Sequence, residues 1–177
     1  MMFTLQNYVN SGSKAFMNGI YLITGSNQGE RLVTLNSAKD QLEKHVGVLK
    51  KASAIYETAP WGKTDQAPFL NQVLFIETEL EAPQVLEACL SIERQHGRIR
   101  KKQWEARTLD IDILFFGNEV IIEEGLIVPH PHLHERRFVL APLMELAPEL
   151  VHPVLNLSVT QLLNLCEDHL PVSIYSE

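Results

Sequence analysis

The sequence predicts an α+β fold. Three observations carry that prediction: four apolar runs of strand length, two segments with helical period between them, and turn residues at the junctions. Gly19 to Gly25 is a short apolar run bounded by glycines and reads as a central strand. Ser26 or Asn27 is placed to cap the helix that follows, because a side-chain oxygen there can accept from the free N–H groups of a first turn. Leu32, Leu35, Ala38, Leu42 and Val46 recur at spacings of three and four, and Gly47 supplies the stop. Val48 to Glu57, rich in small and β-branched residues, reads as a second strand.

Thr58 to Asn71 is a loop carrying two prolines, a glycine, Trp61 and Phe69, too aromatic for an inert connector. Gln72 to Leu80 is a third strand. Pro83 opens a second helix where its missing N–H costs nothing, with Leu86, Leu90 and Glu93 along it and an end near Gly97. Arg98 to Arg107 is a basic loop, and Thr108 to Phe116 is a fourth strand. Gly117-Asn-Glu turns that strand into a hairpin partner at Val120 to Ile122. A last helical region spans Glu135 to Leu146, and residues 158–168 add a short C-terminal helix. The order β-α-β-β-α-β with appended C-terminal elements is the ferredoxin-like arrangement, an antiparallel sheet with helices on one face. Residues 1–18 show no sustained period and contain Asn-Ser-Gly-Ser, so a flexible tail precedes one domain over 19–177.

Length and charge narrow the class. The 177 residues suffice for one domain with a sizeable core. A formal net charge of -7 disfavours a general nucleic-acid binder, while leaving room for a phosphate-rich ligand on a local cluster of cations. Two cysteines in apolar surroundings form neither a disulfide framework nor a cysteine zinc site. No run reaches the roughly 18 apolar residues of a membrane span, and no secretory signal opens the chain, so a cytoplasmic monomer is expected.

The chemistry concentrates on the fourth strand. In Leu109-Asp110-Ile111-Asp112-Ile113 the period of two sends both carboxylates to one face. Their Cα atoms lie roughly 6.6 Å apart, and such a pair can converge on two ions roughly 4 Å from one another. Carboxylates are the hard oxygen ligands that Mg²⁺ prefers. A half-exposed edge strand with a wet face explains most strands of this pattern, so the neighbourhood decides. Arg94, Arg98, Arg100, Lys101, Lys102 and Arg107 are six of the chain's fifteen Lys and Arg residues, within fourteen positions that run directly into the strand. Arg136 and Arg137 add two more. Carboxylates, magnesium and arginine forks belong together around a nucleoside triphosphate.

His130, His132 and His134 alternate around Pro131 and have no evident third partner for a transition metal, so one histidine near a phosphate is the favoured use. Phe69, Asn71 and Phe138 suit a flat heterocycle, with rings on its faces and an amide at its edge. Core packing of both Phe residues explains them equally well.

The segment Arg107-Thr-Leu-Asp-Ile-Asp-Ile-Leu-Phe-Phe-Gly117, followed by Val128-Pro-His130, Arg136 and Phe138, resembles the signature of the 6-hydroxymethyl-7,8-dihydropterin pyrophosphokinases. The resemblance extends over roughly residues 19 to 157, through Gly25-Ser-Asn27, Tyr56-Glu-Thr58, Phe69-Leu-Asn71, Glu93-x-x-x-Gly97-Arg98 and Leu140-x-Pro-Leu143. It implies a ferredoxin-like enzyme of folate biosynthesis that moves pyrophosphate from ATP to the pterin hydroxymethyl group and releases AMP. It further implies that Asp110 and Asp112 hold two Mg²⁺ ions and that Arg98, Lys101, Arg107, Ile113, His130 and Arg136 bind ATP. Phe69 and Phe138 would sandwich the pterin, with Asn71 and the backbone of Thr58 and Ala59 at its edge and Trp104 on a closing loop. The chain departs from the family pattern at Ala106, Gly125 and Pro131, and its basic loop is one residue short. A nucleotidyl transferase, a binding-only regulator and a histidine zinc hydrolase are the rival readings. The first would release pyrophosphate instead of AMP, the second would show no turnover, and the third would carry stoichiometric zinc.

Overall fold

The computed structural model describes residues 17–61, 65–98 and 106–176. Its elements are β1 (Asn18–Ser26), α1 (Arg31–His45), β2 (Val48–Ala52), β3 (Tyr56–Thr58), β4 (Phe69–Thr78), α2 (Ala82–Gln95), β5 (Asp110–Phe116), β6 (Ile121–Glu123), β7 (Leu126–Val128), α3 (Arg137–Leu146), α4 (Val159–Leu165) and β8 (Val172–Ile174). The main sheet runs β5-β1-β4-β3-β8, with β2 also on β4, and its pairings are antiparallel.

Because the central strands are apolar on both faces, both faces must be covered. Ile20, Leu22, Leu74 and Ile76 of the sheet pack with Leu35, Ala38 and Leu42 of α1 and with Val85, Cys89 and Ile92 of α2. On the other face Ile23, Val73, Leu114 and Phe115 meet Val139, Leu140 and Leu143 of α3 and Val159 and Leu162 of α4. Helices therefore lie on both faces: α1 and α2 on the expected one, the appended α3 and α4 on the second. The stripe that α2 buries is Val85, Cys89 and Ile92, while Leu86 and Leu90 stay half-exposed. No helix among the described residues is long and apolar enough to cross a membrane.

Four local expectations need correction. The second strand is two strands, because Ser53 interrupts the ladder. Its N–H donates to the Val73 carbonyl (2.9 Å), and its hydroxyl accepts the Val73 N–H (3.0 Å). Neither Ser26 nor Asn27 caps α1, whose cap position is Glu30 without a side-chain bond. The partner of β6 is β7 and not β5, since Gly125 at φ 79° permits a tight turn between them. Of the predicted tail, residues 1–16 lie outside the described residues, and Asn18 already belongs to β1.

Cys89 is wholly buried on α2. Burial first, then the charges of Glu93 and Asp112, push its thiol from 9.0 up to about 12. The native thiol thus keeps its proton where the unfolded one loses it. Stability from this group is complete below pH 9 and falls as pH rises from about 9 toward 12, by about 1.4 kcal/mol per unit at most. Alkylation at pH 8 followed by peptide mapping is expected to leave Cys89 unmodified until denaturant is added.

Candidate active site

β5 begins at the site. Asp110 and Asp112 lie on the face opposite Ile111 and Ile113, which are buried in the α1/α2 core. The alternation then breaks. Tyr21 pairs with Phe115 and Leu22 with Ile113, so Leu114 is a bulge and both Leu114 and Phe115 enter the second core. The bulge confines the regular two-residue alternation to the stretch that presents the carboxylates.

Asp110 is bracketed by arginines: Arg98 donates to Oδ1 at 2.5 Å, and Arg107 forms an ion pair with Oδ2 at 3.0 Å. Arg98 also pairs with Glu93, which is only 2% exposed on α2, and the same Glu93 Oε1 accepts the Ile111 N–H at 2.8 Å. One buried acid therefore ties α2, Arg98 and the backbone between the two aspartates. Asp112 has His130 Nε2 at 3.9 Å. Its carboxyl is held above the usual carboxylate range, first by desolvation and then by the Asp110 charge, against the pull of Arg136 and Arg107. His130 is pushed down to about 4, mainly by burial and then by Arg136 and His132, so the imidazole is neutral at pH 7. Its Nδ1 accepts the His132 N–H (3.2 Å), which leaves the proton on Nε2, toward Asp112.

The aromatic residues gather around these arginines. The Arg107 guanidinium lies 5.7 Å from the Phe69 ring centre, and that of Arg136 lies 4.7 Å from Trp61 and 5.8 Å from Phe138. Asn71, buried on β4, donates from Nδ2 to Thr58 Oγ1 at 2.7 Å. The Ala59 N–H donates to the Pro171 carbonyl at 3.2 Å. Beside Asp112, the residues Leu86, Leu90, Ile111, Ile113, Leu126 and Ile127 line a mostly apolar cleft of about 320 Å³ that His130 also borders.

Asn27, which does not cap α1, joins loops here instead. Its Oδ1 accepts the Arg107 N–H (2.8 Å), its own N–H donates to the Arg107 carbonyl (3.2 Å), and its Nδ2 reaches Gln66 and the Ala67 carbonyl. The two loops flanking the site are joined through it. Gly25, two positions before Asn27 in the chain, is required for a different reason. A Cβ there would stand 2.6 Å from Asn71 Oδ1. Gly25→Ala is expected to swing the Asn71 amide away and to raise the KM for the heterocyclic substrate about tenfold. The KM for the nucleotide should change little, which steady-state kinetics would show.

Of the residues named from sequence, Arg98, Arg107, Asp110, Asp112, His130 and Arg136 converge at this end of the sheet, flanked by Phe69 and Phe138. Lys101 and Trp104 lie outside the described residues. His132 and His134 face Glu135 (2.9 and 3.8 Å), and among the described residues no three His, Cys, Asp or Glu side chains come together as a metal cage. The two aspartates instead fit Mg²⁺, which binds through one or two carboxylates plus substrate phosphates. A carboxylate offers about four lone-pair sites, so Asp110 retains acceptor capacity beyond its two arginine bonds. The sequence placed Glu93 only with Leu86 and Leu90 along the helix and in the Glu93-x-x-x-Gly97-Arg98 motif, and not as the buried acid that ties Arg98 to Ile111. Nothing local announced Asn27 or the Trp61–Arg136 contact.

Comparison with known proteins agrees with this geometry. A family model described as 7,8-dihydro-6-hydroxymethylpterin-pyrophosphokinase matches residues 21–148. The 2-amino-4-hydroxy-6-hydroxymethyldihydropteridine pyrophosphokinase of Bacillus subtilis is 47% identical over 135 residues, 75% of this chain and 81% of the relative. The same-named protein of Methylorubrum extorquens is 45% identical over 136 residues, 76% of this chain and 86% of the relative. A Plasmodium falciparum HPPK-DHPS crystal structure superimposes with a TM-score of 0.72 at 19% identity, which supports the fold. The match covers 86% of this chain but only 46% of that one, so the chain spans about half the length of that protein. With the family model covering most of the chain and the RTLDID strand set among its arginines, the chain belongs to the 7,8-dihydro-6-hydroxymethylpterin-pyrophosphokinase family.

Proposed function

We propose that this pyrophosphokinase holds two Mg²⁺ ions on Asp110 and Asp112 while it transfers pyrophosphate from ATP to 6-hydroxymethyl-7,8-dihydropterin, releasing AMP, in folate biosynthesis. The observation that carries the reading is the meeting of the two carboxylates with Arg98, Arg107 and Arg136 beside Phe69 and Phe138. Phosphoryl transfer asks a protein for positioning and charge more than for covalent chemistry, and this arrangement offers both.

The hydroxymethyl oxygen attacks the β-phosphorus in line and loses its proton, and the oxygen bridging to the α-phosphorus leaves with AMP. When bound, the two metal ions neutralise triphosphate charge and lower the pKa of the attacking hydroxyl, so no strong side-chain base is needed. Arg98 and Arg107, held on Asp110 before substrate arrives, are poised to pass part of their charge to the phosphates. Neutral His130 offers its Nε2–H to a phosphate oxygen without a like charge to repel Arg136. The apolar cleft along Ile113, Leu86 and Leu90 takes the nucleotide base, and Phe69 and Phe138 take the faces of the pterin with Asn71 at its edge.

The strand order β5-β1-β4 with β2 and β3 beyond supports a ferredoxin-like assignment, and the chain from Asn18 onward is assigned to one domain acting as a cytoplasmic monomer. The decisive assay incubates the chain with ATP, Mg²⁺ and the hydroxymethyl dihydropterin. AMP and the pterin diphosphate in equal amounts are expected. Release of ADP or inorganic pyrophosphate instead would reject the reaction.

A further inference from the structure

The C-terminal segment lies beyond the family-matched residues, which end at Pro148, yet it touches two walls of the site. Leaving α4, the chain buries Cys166 against the second core. Asp168 then faces the first turn of α3. Its Oδ2 accepts the N–H of Arg137, the first residue of that helix and the neighbour of Phe138, at 3.0 Å, while its Oδ1 accepts the Leu170 N–H, also at 3.0 Å. A carboxylate in this place satisfies a donor that the helix cannot satisfy itself and sits at the positive end of the helix dipole.

From there the chain crosses to the open edge of β3. The Pro171 carbonyl accepts the Ala59 N–H. Val172, Ser173 and Ile174 lie opposite Thr58, Glu57 and Tyr56 in an antiparallel pairing, and the Tyr175 N–H donates to the Ile55 carbonyl at 2.8 Å. Tyr175 also packs against the α1/α2 core, which anchors the far end. The other end of α3 is tied to the same strand. Glu145 accepts the Ala54 N–H (3.0 Å) and the Tyr56 hydroxyl (3.1 Å).

We propose that residues Asp168 to Tyr175 are a positioning element of the pterin pocket, a strap that holds Phe138 on α3 and Thr58 on β3 at a fixed separation. The proposal rests on the reading above, in which Phe138 stacks on the pterin and Thr58, through Asn71, supports its edge. It follows from the juxtaposition: one eight-residue segment bonds the residue before Phe138 and the residue after Thr58. A flat ring stacked on one wall and hydrogen-bonded beside the other loses contact when that separation drifts by a fraction of an ångström, which is why supporting contacts govern such sites. Among the described residues, none of Asp168 to Tyr175 lines the nucleotide cleft on α2, β5 and β7.

The test uses full-length variants Asp168→Ala, Asp168→Asn and Ser173→Pro, with Phe138→Ala as a reference, and reads KM for pterin, KM for ATP and the melting temperature. Asp168→Ala is expected to raise the pterin KM roughly fivefold, the scale of a lost acceptor at a helix start, with the ATP KM within twofold. Asp168→Asn, which keeps an acceptor oxygen, should recover most of the loss. Ser173→Pro, which places a residue without an N–H inside the added strand, should raise the pterin KM in the same selective way. Equal rises in both KM values, or an unchanged pterin KM in folded Asp168→Ala while Phe138→Ala raises it, would overturn the strap. If Phe138→Ala itself leaves the pterin KM unchanged, the assignment of the pocket fails, and the strap's role falls with it. The Asp168 pair settles the question even if Ser173→Pro does not fold.

Discussion

Replacing Asp112 by alanine is expected to lower kcat by about three orders of magnitude while leaving the melting temperature within a few degrees of the parent. The expectation rests on a difference between the two aspartates. Asp110 is bound to Arg98 and Arg107, so its loss would also release two cations into a half-buried site. Among the described residues Asp112 has the neutral His130 at 3.9 Å, and its carboxyl is already held high by desolvation and by Asp110. Removing Asp112 thus relieves like-charge repulsion in the free protein and costs little folding energy. With ATP and Mg²⁺ present the same change removes one of the two carboxylates able to hold metal, and several kcal/mol of transition-state stabilisation with it, where each 1.36 kcal/mol is tenfold in rate. Steady-state kinetics at saturating Mg²⁺ beside a thermal melt measures both. An Asp112→Ala enzyme with most of its ATP-dependent turnover would falsify the two-metal proposal.

Glu93→Ala is expected to act oppositely, on folding first. Glu93 is 2% exposed, its partner Arg98 has 14% of its side chain exposed, and the Ile111 N–H depends on the same carboxylate. Deleting one partner of a buried pair leaves an undercompensated charge and an orphaned backbone donor, at about 3–5 kcal/mol. For a chain of this size that corresponds to a melting temperature lower by about 10 °C. Activity should fall as well, because Ile111 lies between the two aspartates and Arg98 would be held by Asp110 alone. Glu93→Gln separates the two parts: it keeps an acceptor for Ile111 but no charge for Arg98. Its melting temperature should fall between parent and alanine. If the alanine variant melts with the parent, the buried acid is not what holds this corner together.

The local grammar of the chain was legible where a short-range period reports burial. The Leu35-Ala38-Leu42 spacing marked the buried face of α1, and the alternation Asp110-Ile111-Asp112-Ile113 put both acids on one face and both isoleucines in the core. Arg98 and Arg107 were legible as neighbours of the acids because they are close along the chain, but their pairing with Asp110 was not. The same local reasoning failed at Asn27, which has the composition of a helix cap but whose side chain is engaged by Arg107, 80 positions away, and by the loop at Gln66 and Ala67. It failed at residues 53–55 too, where Ser53 matches strand composition but leaves the ladder to bond Val73 and Ala54 turns to Glu145.

The sequence by itself determined that two helices alternate with strands, that the two carboxylates share a face, and the family, all read from short runs of neighbouring residues. Only the tertiary structure decided that α3 and α4 cover the sheet's second face and that Glu93 locks Arg98 to β5. It alone set the C-terminal strand against β3. Those outcomes depend on pairing between segments far apart in the chain, on strand register and on the bulge at Leu114, and no local period encodes which distant partner a buried donor or charge will meet.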